Sequence, residues 1–245
     1  LTKAPLTVAA LQLPHRFGDV AGNLTLVDKL LSGCTGIELA LLPELALTGY
    51  VSPTGDFDLS RFAESVVGRT REHLSRLATK HRVHVAAPLV EREGAALFNT
   101  LLLFNPAGEL AGHYRKRFPW YPEQWATPGD LGTPLFEISG WKMAPAICFD
   151  IHFVSEVARA QLNAADALLF PSAWVEESAE EDSRRAILSS LAQQFDLPIV
   201  NANWGDGTPR IPGQGSSRIV DRTGAEITRA HSAGPTVIVA TLSSS

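Results

Sequence analysis

Short apolar runs alternate with longer amphipathic ones along most of this chain of 245 residues. LTVAALQL (6–13) is nearly all apolar and lies between Pro5 and Pro14, which predicts a buried strand. VAGNLTLVDKLLSG (20–33) carries apolar residues near helical spacing and stops at Gly33, which predicts a helix. IELALLPE (37–44) predicts a second strand, ESVVGRTREHLSRLATKH (64–81) a helix with a charged outer face, and RVHVAAPLVER (82–92) a third strand. ALFNTLLLFNPAGELAGHYRK (96–116) reads as a hairpin, because Pro106 and Gly108 supply turn geometry between two apolar runs.

The alternation then resumes. WKMAPAICF (141–149) predicts a strand, SEVARAQLNAA (155–165) a helix, and DALLFPSAW (166–174) a strand ending at Pro171. EEDSRRAILSSLAQQFD (180–196) predicts a helix and LPIVNANW (197–204) a strand. GSSRIVDRTGAEITRA (215–230) predicts a hairpin and PTVIVATL (235–242) a closing strand. Strand–helix–strand units mixed with hairpins imply an α/β protein with mixed sheets. The excess of strands over helices implies two sheets packed face to face with helices outside. No linker, low-complexity tract or fixed-period repeat divides the chain, so a single domain over 1–245 is expected.

Composition narrows the function classes. A 45% hydrophobic, 19% charged chain is ordinary for a globular protein. The net charge of −5 argues against a nucleic-acid or anionic-membrane surface, which is normally basic. No apolar run has the length to span a bilayer. The opening residues have no signal-peptide shape. Two cysteines, Cys34 and Cys148, make no disulfide framework, although one bridge between them is compatible with the sequence. The low count fits a reducing compartment, and cytoplasmic location is the default reading. The seven histidines are scattered without zinc spacing, so no metal site is expected. GDGTPRIPGQG (205–215) lacks the spacing and the lysine of a phosphate loop.

Chemistry in α/β proteins gathers at strand ends. Three reactive side chains stand there: Glu44 after LALLP, Lys116 after HYR, and Cys148 after MAPAI. Each has an ordinary structural reading, as a loop carboxylate, a surface ammonium and a core thiol. Together they form a coherent set. A thiol needs a base or a positive neighbour to become a nucleophile. A glutamate can take its proton and return it to a leaving amine. An ammonium can hold an oxyanion.

The motifs around these residues resemble those of the nitrilase, or carbon–nitrogen hydrolase, superfamily. LLPELALTGY (41–50) resembles its glutamate motif, GHYRKRFPW (112–120) its lysine motif and ICFDIHFVSE (147–156) its cysteine elbow. PEQWATPGD (122–130) resembles the segment whose second glutamate, here Glu123, orients the lysine and the substrate. VAALQL with GDVAGNL, ADALLFPSAW and GSSRIVDRTGAEI resemble further signatures, and all occur in the family's order.

The resemblance implies a four-layer α-β-β-α sandwich, a homodimer joined through a helical layer, and hydrolysis of a small-molecule amide with no metal or organic cofactor. It implies Glu44, Lys116, Cys148 and Glu123 as the catalytic set, with the Phe149 backbone N–H as a second oxyanion donor. A true nitrilase would use the same residues, and a non-catalytic binding protein could keep the same fold. His152 stands where many relatives carry arginine. CFDIHF and LLFPSAW are similar to the branch containing vanins and biotinidase. Tyr50, Phe118, Trp120, Tyr121, His152 and Trp174 are the expected pocket walls, and Asp150 is expected to hold the elbow loop. Asn201 and Asn203 are expected either near the site or on backbone groups.

Overall fold

The computed structural model describes residues 3–244; residues 1, 2 and 245 of the expected domain lie outside the described residues. The first sheet is built from β1 (Leu6–Gln12), β2 (Leu39–Leu41), β3 (His84–Glu93), β4 (Ala96–Phe104) and β5 (Leu110–Arg115). The second contains β6 (Phe136–Ile138), β7 (Trp141–Pro145), β8 (Ala167–Ser172), β9 (Ile199–Asn203), β10 (Arg218–Val220) and β11 (Glu226–Arg229). β12 (Thr236–Leu242) returns to the first sheet beside β1. The orders are β12-β1-β2-β3-β4-β5 and β6-β7-β8-β9-β10-β11, so the two sheets share one plan. Three parallel strands lead into an antiparallel pair, and an antiparallel strand flanks the first of the three.

Side-chain alternation sets the layers. Leu6, Val8, Ala10, Leu39, Leu41 and Ala86 point into the core shared with Met143, Leu168 and Val200 of the second sheet. The intervening Ala9, Leu11, Ala40, Val85 and Ala87 pack instead on Val27 and Leu31 of α1 (Val20–Ser32) and Leu74 and Ala78 of α2 (Arg69–His81). Behind the second sheet lie α3 (Val154–Val157), α4 (Arg159–Ala164) and α5 (Ser183–Phe195). Leu162 of α4 and Leu188, Leu191, Ala192 and Phe195 of α5 join its core. The expected α-β-β-α sandwich of two mixed sheets is thus observed.

Several boundaries differ from the expectation, each for a local reason. The helix expected from residue 64 starts at Arg69, because Glu64 exchanges backbone hydrogen bonds with Val90 and Arg92 at the edge of β3. Its carboxylate then accepts the Thr70 backbone N–H at the helix start. The helix expected over 155–165 breaks at Ala158, whose φ of −129° leaves the helical region and separates α3 from α4. The helix expected from 180 starts at Ser183, where Asp182 caps the Arg185 N–H. The strand expected over 141–149 stops at Pro145, and Cys148–His152 forms a 3-10 turn. β6 was not foreseen; three residues are too few to show alternation.

Candidate active site

Glu44 leaves β2 through Leu42 and Pro43, with the Leu42 N–H still bonded to Ala86. The loop that follows turns sharply: Leu45 has φ +47° and Gly49 φ +74°. A side chain at Gly49 would lie 2.9 Å from Phe17 Cα, so the close approach requires glycine. This loop folds the Glu44 carboxylate inward, leaving the residue 1% exposed.

Lys116 follows β5, and its backbone N–H still pairs with the Asn99 carbonyl of β4. Its Nζ donates to Glu44 Oε1 at 2.7 Å and to Glu123 Oε2 at 2.6 Å. Glu123 is set in a tight turn, where its N–H donates to the Trp120 carbonyl and its Oε2 accepts the Trp120 N–H at 2.6 Å. Asn99 completes the cluster: its Nδ2 donates to Glu44 Oε1 at 2.8 Å and to Glu123 Oε1 at 2.9 Å. The remaining Glu44 oxygen accepts the Ala173 N–H at 2.9 Å, linking the first sheet's loop to the end of β8.

Asn99 is absent from the sequence-based set. Its signal was the polar pair Asn99–Thr100 inside an otherwise apolar strand, where an unpaired amide would be costly.

Cys148 heads the 3-10 turn with φ +43°, a left-handed backbone that a residue with a Cβ adopts only under constraint. Asp150 supplies much of that constraint. Its Oδ2 accepts from the Ile147 N–H and the Tyr114 hydroxyl, and its Oδ1 from the N–H groups of Arg117 and Phe118. The same carboxylate therefore holds both the cysteine turn and the segment after Lys116.

Electrostatics follow from burial and proximity. Burial raises the Glu44 pKa, Lys116 opposes the shift, and Glu123 adds to it. Burial alone would favour neutral Lys116, but Glu123 and Glu44 outweigh it, so its pKa rises and the ammonium stays charged. Burial and the Glu44 charge push the Cys148 thiol well above its ordinary range, with Lys116 opposing. Lys116 and the Cys148 thiol both favour the carboxylate form of Glu44 against its burial. Cys148 therefore rests as a thiol beside a carboxylate that can take its proton.

A pocket of about 300 Å³ opens over Cys148. Trp120, Tyr121, Phe149, His152 and Trp174 line it, together with Ala173 and Val175. Glu176 and Glu177 also line it and were not foreseen, because loop carboxylates carry no periodic signal.

Tyr50 sits behind the lining, stacked on Trp120 at 6.4 Å and edge-on to Trp204. Phe118 stacks on Phe153 at 4.4 Å instead of lining the pocket. Asn201 and Asn203 serve the framework. Asn201 donates to the Phe170 carbonyl, and Asn203 donates to Gly213 and Gly215 while its Oδ1 accepts the Trp174 N–H. Cys34 lies outside the cluster, half-buried, and both cysteines are free thiols. Among the described residues no group of histidine, cysteine and carboxylate side chains has the arrangement to hold a metal ion. Among the described residues no helix is long and apolar enough to cross a membrane.

Known proteins resemble this chain in sequence and in fold. The sequence model described as "Carbon-nitrogen hydrolase" matches residues 7–245. A "Nitrilase" of Pyrococcus abyssi is 30% identical over 67% of this chain and 64% of its own length. A "Formamidase" of Helicobacter acinonychis is 31% identical over 62% of this chain and 48% of its own length. The chain thus spans less than two-thirds of the length of these relatives. A mutant of the amidase from Nesterenkonia sp. AN1, described as showing covalent addition of the acetamide moiety of fluoroacetamide at the active site cysteine, superposes with a TM-score of 0.85. It is 23% identical, and the match covers 97% of this chain and 90% of that one.

Proposed function

The chain belongs to the carbon–nitrogen hydrolase family, and on that premise we propose that it hydrolyses a linear, non-peptide amide through a thioester on Cys148. One observation carries the reading: the buried Lys116 ammonium bridges Glu44 and Glu123 beside a thiol held on a strained turn.

Glu44 takes the Sγ proton as sulfur attacks the amide carbon, and the carbonyl oxygen becomes an oxyanion. The fixed charge of Lys116 and the Phe149 N–H stabilise it. Collapse breaks the C–N bond, and the amine leaves with the proton held by Glu44. A water then loses its proton to Glu44 and attacks the thioester; collapse returns the proton to sulfur and frees the acid. Glu123 and Asn99 hold Lys116 and Glu44 in place throughout. Nothing in these steps calls for a metal or organic cofactor.

The test is intact-mass spectrometry after incubation with an amide library. An acyl adduct on Cys148, lost in Cys148→Ala together with all turnover, is expected; full hydrolysis by that variant overturns the reading. Paired amides and nitriles of the same acyl group separate an amidase from a nitrilase by rate and product.

A single domain over 1–245, a homodimer and a cytoplasmic setting belong to the same proposal. The two free thiols suit a reducing compartment. Light scattering on the purified protein reads the dimer directly.

A further inference from the structure

The pocket over Cys148 has a charge pattern of its own. We propose that it selects short amides carrying a cationic group, such as an ammonium or guanidinium, over neutral and carboxylate-bearing ones. The proposal rests on the amidase reading of Cys148 and adds the chemistry of the rest of the substrate.

Among the described residues that line the pocket, Glu176 and Glu177 carry the carboxylates, and no lysine or arginine joins them. Glu176 is buried and pre-set: one oxygen accepts the Trp174 Nε1–H at 2.9 Å and the other the Ser183 hydroxyl at 2.8 Å. Glu177 is exposed on the rim. His152 adds no opposing charge, since burial lowers its pKa below the ordinary histidine value.

Lys116 and Arg184 lie behind the lining, and neither lines the pocket. Lys116 is fully buried between Glu44 and Glu123, so that cluster carries one net negative charge when both carboxylates are ionised. Arg184 is buried and directs Nη2 at the Gly215 and Ser216 carbonyls, while its buried Nε and Nη1 have no hydrogen-bond partner. Its charge offsets Glu176, which leaves Glu177 uncompensated at the mouth.

The remaining walls suit the same ligand. Trp120 and Trp174 present indole rings to the pocket, and aromatic faces attract ammonium and guanidinium groups. A carboxylate-bearing amide would meet like charge and aromatic faces with no guanidinium partner. About 300 Å³ lies at the small end of ligand sites, which favours a short chain.

The experiment reads charge selection at the thiol itself. Three 2-bromoacetamides with N-linked chains of equal length, ending in trimethylammonium, methyl or carboxylate, are reacted with the full chain. Peptide mass spectrometry follows Cys148, and Cys34 in the same sample normalises intrinsic reactivity. The expected normalised rates fall from trimethylammonium to methyl to carboxylate, by about tenfold between the extremes at low salt. The spread should shrink as ionic strength rises. Glu177→Gln should narrow the ratio several-fold, and its exposed position keeps folding out of the result. Equal rates, a carboxylate preference, or a ratio unmoved by Glu177→Gln overturns the selectivity. Failure of every probe at Cys148 while Cys34 reacts overturns the hydrolase reading itself, and the selectivity with it.

Discussion

The Asp150 carboxylate accepts the backbone N–H of Phe118 at 2.9 Å, two residues beyond Lys116. It also accepts the Ile147 N–H, the residue before Cys148, so one side chain sets the spacing between nucleophile and ammonium. Asp150→Asn should lose part of that hold, because an amide offers one accepting oxygen where the carboxylate offers two. Bonds to a charged group are worth about 1.5–3 kcal/mol each, so a clear drop in melting temperature is expected. A purely structural role would stop there. A positioning role predicts a further loss in kcat of about 10²-fold below the melting transition, with KM much less affected.

Asn99 donates one amide group to both Glu44 and Glu123. Asn99→Asp would place a third carboxylate against these two. Like-charge repulsion should then push the acidic limb of kcat/KM to higher pH than in the unsubstituted protein. Asn99→Ala should lower kcat/KM by at least about tenfold without that displacement. Coincident acid limbs for Asn99→Asp and the unsubstituted protein would count against the amide as the link between the carboxylates.

The pH profile of the unsubstituted protein is itself informative. Glu44 must be ionised to accept the thiol proton, and burial raises its pKa above the ordinary carboxylate value of 4.5. Activity should therefore fall through a midpoint above 4.5 as pH is lowered. Because kcat/KM reports the free enzyme, its acid limb is the quantity to measure. A midpoint below 4.5, with folding intact, would remove Glu44 from the role of base.

How much of this was open to sequence reading depends on what each feature leaves in a linear pattern. Glu44, Lys116 and Cys148 stand at the ends of predicted strands, so strand pattern and motif order both mark them. The positive φ of Cys148 leaves no such trace, and the apolar run through Phe149 reads as continuous strand although pairing stops at Pro145. Asn99 looks like an interruption until the fold brings Glu44, 55 positions away, to its amide. Tyr50 is aromatic and closes the glutamate motif, yet sequence cannot say that it stacks on Trp120 while Trp120 lines the pocket. Glu176 and Glu177 acquire meaning only when β8 delivers their loop to the mouth.

Away from the pocket, Glu91 holds a buried cluster in the first sheet, accepting from Arg115, Thr100 and His113. Burial alone would raise its pKa, but these donors outweigh it and lower it to about 2. A depressed carboxylate stabilises the fold fully above its unfolded value near 4.5, and that contribution is lost as pH falls toward 2. Glu91→Ala would leave Arg115 only the exposed Glu93 and Asp130 as partners, would unpair the buried Thr100 hydroxyl, and should cost about 1–3 kcal/mol, read by denaturant unfolding at neutral pH. Its destabilisation should shrink as the pH of measurement drops below 4. An equal penalty at pH 7 and pH 3 would show that packing, not charge, is what Glu91 supplies.

His15 clamps the loop after Glu44 from the other side. Its Nε2 accepts the N–H groups of Tyr50 at 3.1 Å and Val51 at 3.2 Å, so Nδ1 carries the proton and donates to the Thr208 carbonyl. An imidazolium could not accept those two bonds, and burial accordingly lowers the His15 pKa below 6.5. The sign is that of a base kept neutral by the fold. Its contribution to stability is complete above 6.5, and falls as pH drops from there to the lowered native value. His15→Ala should leave two buried N–H donors unpaired and cost about 1–3 kcal/mol each. It should also lower kcat through the displaced glutamate loop. The measurement is hydrogen exchange at the Tyr50 and Val51 amides, which should be protected above pH 6.5 and released by the substitution. Amides equally protected in His15→Ala would mean that the loop holds Glu44 unaided.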